Sequence, residues 1–139
     1  MKVLLRELLD SRAAHEELLK NGDLLPVLVS YRINKLIDEI NPEFEAFEKS
    51  KNELIKKYGE EVQKEGADPI IEVKPENLQE YFKELESIVN EEITLKYEPF
   101  NIAEAFDPKD IKKIKLGLSS QRVLEKFFIG WEEAIARMD

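Results

Sequence analysis

Ile33, Ile37, Ile40, Phe44, Phe47, Lys51, Leu54 and Tyr58 succeed one another at intervals of 4-3-4-3-4-3-4. Seven of these eight positions are apolar, which is the seam of a helix that lies along another helix. The spacing predicts a helix over 24–58, with Asp23 as its cap, Pro26 in its first turn and Gly59 at its end. At 1.5 Å per residue such a helix is about 50 Å long. Pro42 lies inside it and lacks the N–H that would bond to Asp38. The seam keeps its phase across the proline, so one kinked helix is expected rather than two. Without a partner of equal length in the same chain, the seam is expected to pair between subunits.

Around this helix the hydropathy pattern alternates between two periods. Leu4, Leu5, Leu8, Leu9, His15, Leu18 and Leu19 gather on one side of a first helix over 3–20, stopped by Asn21-Gly22. Residues 1–66 are therefore expected to form a helical, hairpin-like region. Ile70-Ile71-Glu72-Val73, bounded by Pro69 and Pro75, reads as a strand. Residues 76–91 return to helical period through Leu78, Tyr81, Phe82, Leu85, Ile88 and Val89, and Ile93–Tyr97 alternates as a half-buried strand does. A strand–helix–strand unit over 69–98 follows, with right-handed parallel and antiparallel pairing both open. Pro99–Ala105 reads as irregular. Asp107 and Pro108 open a short helix that stops at Gly117, and Ser119 caps a last helix. In that helix Leu124, Phe128, Trp131, Ile135 and Met138 step 4-3-4-3, with C-terminal helices spanning 107–138. The expected fold is a single domain over 1–139, mainly α with a minor β element.

Composition narrows the chemistry. The 139 residues include no cysteine and one histidine, His15. Disulfides, thiolate catalysis and sulfur-bound zinc are thereby excluded, as are sites needing two or three histidines. His15 lies on an apolar stripe and reads as a packed or partly exposed structural side chain. The glycines form no phosphate-cradling loop, and Ser119-Ser120 lies in no nucleophile elbow. No catalytic residue, metal ligand or cofactor site is nominated, and the chain is expected not to be an enzyme. The start of the chain is interrupted by Arg6, Glu7 and Asp10, unlike a signal peptide, and no apolar run is long enough to span a bilayer. A soluble, cytoplasmic protein is expected.

The net charge is −9, and it is concentrated. Residues 60–92 hold 11 acidic and 3 basic side chains, while the flanking segments are nearly neutral. That balance argues against direct nucleic-acid binding, although Lys109, Lys112, Lys113 and Lys115 form a small basic cluster. Glu80, Glu84 and Glu91 lie off the apolar stripe of their helix and are candidates for an acidic face. Ile33, Ile37, Ile40, Phe44, Phe47, Phe128 and Trp131 are candidates for an interface, because aromatic and branched apolar side chains anchor both cores and contacts.

Across 26–98 the chain resembles a known family. Pro26-Val27, Ser30-Tyr31-Arg32-Ile33, the long charged helix ending Lys57-Tyr58-Gly59-Glu60, Glu84-Leu85 and Glu91-Glu92-Ile93 are similar to small bacteriophage proteins grouped as domain of unknown function 1617. These occur in phages and prophages of Gram-positive bacteria. The resemblance implies a phage or prophage origin and transfers no activity. Two functional expectations follow. The first is a non-catalytic phage protein acting through protein–protein contacts, such as a virion-assembly or minor structural factor, with a homo-oligomer or another phage protein as partner. The alternative is an acidic inhibitor that sits on a nucleic-acid-processing host enzyme, its carboxylates standing in for phosphates.

Overall fold

The computed structural model describes residues 1–138. Its longest element is an unbroken helix, α2 (Val27–Tyr58), that passes through Pro42. The helix begins three residues later than expected, because Gly22–Leu24 forms a 3-10 turn and Pro26 becomes the cap. Before it stand a strand, β1 (Lys2–Leu4), and the first helix, α1 (Leu5–Leu19). The expectation of helix from residue 3 is thus corrected: Lys2–Leu4 is extended, and Glu7 reaches back to accept the Leu4 N–H at 3.0 Å, fixing the helix start.

After α2 the chain turns back through β2 (Gly59–Val62) and β3 (Ile70–Val73), then enters α3 (Leu78–Val89) and β4 (Glu92–Thr94). The strand–helix–strand unit over 69–98 does not form. β3 pairs antiparallel with β2, and β4 pairs antiparallel with β1, so the two strands flanking α3 belong to separate sheets. A hairpin between neighbours, turned at Gly66 (φ +76°), closes a much shorter loop than a crossover through α3 would.

The remainder is broken into short pieces: β5 (Phe100–Asn101), α4 (Ile102–Ala105), α5 (Pro108–Ile111), α6 (Leu118–Leu124), β6 (Phe128–Ile129) and α7 (Trp131–Arg137). Asp107 caps α5 as expected, accepting the Lys109 N–H at 3.0 Å, but that helix ends well before Gly117. Pro99–Ala105 is not wholly irregular, since β5 pairs parallel with β6 and Asn101 caps α4. The single last helix is also corrected. Phe128 is extended and Gly130 sits in the left-handed region (φ +71°), so α6 and α7 are separate, and Gly117 rather than Ser119 precedes α6. Taken together the fold is mainly α with a minor β element. Among the described residues no helix is long and apolar enough to cross a membrane.

The core lies where α1, the first half of α2 and the C-terminal pieces meet. Leu8, Leu18, Val29, Ile33, Leu36, Ile40, Ile102 and Leu124 are wholly buried there. Polar clasps join its distant parts. Glu17 accepts the Gly117 N–H at 2.8 Å and the Ser120 hydroxyl, and these two bonds, the hydroxyl foremost, hold its carboxyl below the usual range. Asn21 bonds both the N–H and the carbonyl of Lys115. The start of α6 is therefore fastened to the end of α1 by side chains about a hundred residues earlier in the chain.

Of the two states open to His15, packed or partly exposed, the structure has the packed one, with Phe127 edge-on at 5.0 Å and Phe128 at 6.0 Å. Both of its ring nitrogens are buried without a hydrogen-bond partner, and burial drives its pKa down from 6.5 to about 3. The unfolded chain therefore takes up a proton on this ring from pH 6.5 downward, whereas the folded chain does so only near pH 3. Stability should fall by about 1.4 kcal/mol per pH unit below 6.5 from this group. Urea titrations from pH 7.5 to 5 should show that slope, and His15→Leu should flatten it. A second test concerns the break before α7. A Cβ on Gly130 would meet Asn101 Oδ1 at 2.6 Å in addition to the left-handed strain. Gly130→Ala should lower stability by ~2 kcal/mol in thermal melts.

Candidate functional site

A cleft of about 640 Å³ lies between the N-terminal half of α2 and the segment 96–100. One wall is a helical face bearing Tyr31, Arg32, Lys35, Asp38 and Glu39. The other is the extended run Lys96-Tyr97-Glu98-Pro99-Phe100, which follows β4 and leads into β5. Glu39 ties the walls together: its carboxylate accepts the Lys96 N–H at 2.6 Å and the Tyr97 N–H at 3.0 Å. An extended segment leaves such N–H groups without ladder partners, and one carboxylate satisfies two of them.

The floor is aromatic and braced from below. Tyr97 donates its hydroxyl to the Phe127 carbonyl at 2.5 Å, and burial raises its phenol pKa while nearby Arg32 pulls the other way. Phe100 meets Tyr97 edge-on at 6.3 Å and Phe128 at 5.5 Å, and Phe128 stacks on Trp131 at 5.2 Å. Trp131 in turn donates its indole N–H to the Gln121 carbonyl. The cleft floor is thus continuous with the core.

Cations decorate the rim. The Arg32 guanidinium lies over the Phe100 ring at 4.7 Å, and the Lys35 ammonium lies 5.5 Å from the Tyr31 ring. Glu98 is engaged by the Met1 ammonium at 3.1 Å. Beyond the rim, Val27 and Leu28 precede Tyr31 by four and three residues and share its face of the helix. Val27 is 86% exposed, Leu28 54% and Tyr31 57%. An apolar strip thereby runs from the solvent-facing start of α2 into the cleft.

The structure distributes the sequence-derived interface candidates differently from their even spacing. Ile33 and Ile40 are wholly buried, and Phe128 and Trp131 are also in the core, so none of the four is available to a partner. Ile37 is half-buried against that core. Phe44 lies under the Arg12 guanidinium at 4.1 Å. The heptad seam is covered from within, first by α1 and then by α3, which takes away the reason for expecting it to pair between subunits. Phe47 lines a shallower hollow of about 330 Å³ with Leu5, Ile88 and Ile93, where Glu43 and the acidic-face candidate Glu91 also lie.

The acidic face is partly neutralised. Glu84 is paired with Lys57 at 3.2 Å, and hydrogen bonds from Tyr58 and Lys57 hold its carboxyl below the usual range. Glu60, Glu72, Glu86 and Glu92 pair with Lys74, Lys64, Arg6 and Lys2. Glu80 and Glu91 are exposed, as are Lys109, Lys112, Lys113 and Lys115. Among the described residues no group of three or more His, Asp or Glu side chains is placed to hold a metal ion.

Reasoning from the sequence missed the cleft. Its walls are about sixty residues apart in the chain, and Glu39 looks like any solvated glutamate on a charged helix. The one local signal was the apolar group Val27, Leu28 and Tyr31, which falls outside the heptad seam.

No family model, curated protein or solved structure matches the chain.

Because Glu39 fastens the 96–97 wall to α2 through two backbone N–H groups, its removal should loosen the cleft. Glu39→Ala should cost about 1–3 kcal/mol in chemical denaturation, with faster amide exchange at Lys96 and Tyr97. Glu39→Gln keeps one acceptor oxygen and should cost less.

Proposed function

We propose that this is a non-catalytic phage protein that works by gripping another protein, as a virion-assembly or minor structural factor. It acts in the cytoplasm of the infected or lysogenic host, or as part of the virion. The phage assignment rests on the resemblance of residues 26–98 to the bacteriophage family. The contact function rests on one observation: the exposed strip Val27, Leu28 and Tyr31 continues into an aromatic cleft. Apolar side chains scattered singly on a surface need no explanation, but a run that leads into a braced concavity has the form of a docking surface. Tyrosine flanked by cations, over a rigid floor, is the composition that interface centres favour.

The acidic-inhibitor alternative draws less support. Five of the eleven carboxylates over 60–92 are matched by lysine or arginine, which weakens their likeness to a row of phosphates.

The test is affinity capture by tagged protein in lysate of phage-infected host, read by mass spectrometry at low and moderate salt. A phage capsid or tail protein should be retained at moderate salt. Leu28→Asp or Tyr31→Asp should weaken that contact by roughly thirtyfold, the effect of losing an interface anchor. Capture that ignores both substitutions counts against the cleft, and recovery of a host nucleic-acid enzyme that is lost on adding salt favours the alternative.

A further inference from the structure

The cleft and the far end of α2 differ in charge: the cleft lining is balanced, three cations against three carboxylates, and the far end is acidic. In the cleft, two of three carboxylates are already engaged, Glu39 by backbone N–H groups and Glu98 by the Met1 ammonium. Asp38 is the third, and it pairs with no cation among the described residues. The cations Arg32, Lys35 and Lys96 likewise meet no carboxylate at ion-pair distance among those residues. The cleft is therefore aromatic and holds three cations outside any ion pair, its carboxylates being offset in part by the Met1 ammonium, in a chain whose net charge is −9.

The far end is a projecting arm built from β2, β3 and α3 around the last turns of α2. It is where the acidic excess of the chain lies. Lys57, Lys64 and Lys74 are held by Glu84, Glu72 and Glu60, which leaves Lys56 and Lys83 against Glu61, Glu65, Asp68, Glu76 and Glu80, none of them ion-paired among the described residues. The arm also exposes large apolar side chains. Ile70 and Ile71 on β3, and Leu78 and Phe82 one turn apart on α3, are all partly open to solvent, and Phe82 is 57% exposed. An aromatic ring that far out of the core, edge-on to Tyr81 at 5.2 Å, has the form of an anchor without a socket.

Socket and anchor cannot meet within one molecule. Lys35 and Tyr58 sit on the same continuous helix, and 23 residues at 1.5 Å place them about 35 Å apart. We propose that the arm of one copy docks in the cleft of a second copy, head to tail, with Phe82 entering the aromatic floor and the acidic arm facing Arg32, Lys35 and Lys96. This rests on the reading of the cleft as a protein-binding surface and names its occupant. Such a contact is heterologous, so each copy retains one free cleft and one free arm, and repetition closes a ring or extends a filament. Salt weakens it, because part of the attraction is between exposed charges.

The experiment is sedimentation and light scattering of the full chain over a concentration series at low and high salt. The average mass should rise with concentration at low salt and rise less at high salt. A cleft variant, Arg32→Glu with Lys35→Glu, and an arm variant, Phe82→Asp, should each weaken self-association about tenfold or more. Mixed in equal amounts, the two variants should form a one-to-one complex, since one intact arm and one intact cleft remain. Circular dichroism melts check their folding, with Phe82→Ser in reserve for the arm. A wild-type chain that stays at the mass of one copy overturns the proposal, as does an assembly that both variants leave intact or a mixture that forms no complex. If the wild type stays single while Tyr31-dependent capture of another phage protein persists, self-docking alone fails and the binding role of the cleft stands.

Discussion

Everything in this molecule is arranged around a helix too long for its own core. α2 runs for 32 residues, and its wholly buried positions, Val29, Ile33, Leu36 and Ile40, all precede Pro42. Beyond the proline no residue of α2 is fully buried. A helix of this length gains most of its stability from packing, so its second half needs cover of its own. The chain supplies it locally, by folding the β2–β3 hairpin and α3 back onto the same helix. Gly59 makes this possible, because a Cβ there would collide with the carbonyls of Ile55 and Glu72 at 2.4 and 2.8 Å. The result is a body and an arm on one rigid axis.

The body solves a different problem. Its C-terminal elements are too short to hold their own shape, with α4 and α5 a single turn each. The segments on either side of them are held by side chains from α1, the turn after it and α2: Glu17 and Asn21 on the 115–120 segment, and Glu39 on the 96–97 segment. The cleft is a by-product of this fastening. It exists because an extended segment, once its N–H groups are satisfied from one side chain, stands off the helix instead of lying against it.

How much of this was legible depended on the range of the interaction. The seam of α2 and the apolar stripe of α3 could be read because each repeats within one element. What the seam packs against could not, since heptad spacing specifies a partner helix without saying which. Val3 and Leu4 were absorbed into the first helix because so short a strand shows no period, and the extended form of Lys2–Leu4 is fixed by β4, some ninety residues away. In the last segment a regular 4-3-4-3 step concealed a break at Gly130, where the glycine itself was the visible signal. The helix cap at Asp107 was legible because local pattern decides it, and the apolar stripe placed His15 as structural while leaving its degree of burial open.

The fastening of α1 to residues near the C-terminal end of the fold has a consequence for how the protein is made. β1 needs β4, and α1, which meets α2 early, still needs α6 before its cover is complete. Contacts of such long sequence separation form late and slowly, since a large loop must close before they return any stability. On the ribosome, the arm can form from its own neighbouring segments while the leucine-rich face of α1 is still waiting. α1 is thus made well before the segments that complete its cover, and during that interval its uncovered face is open to chaperones.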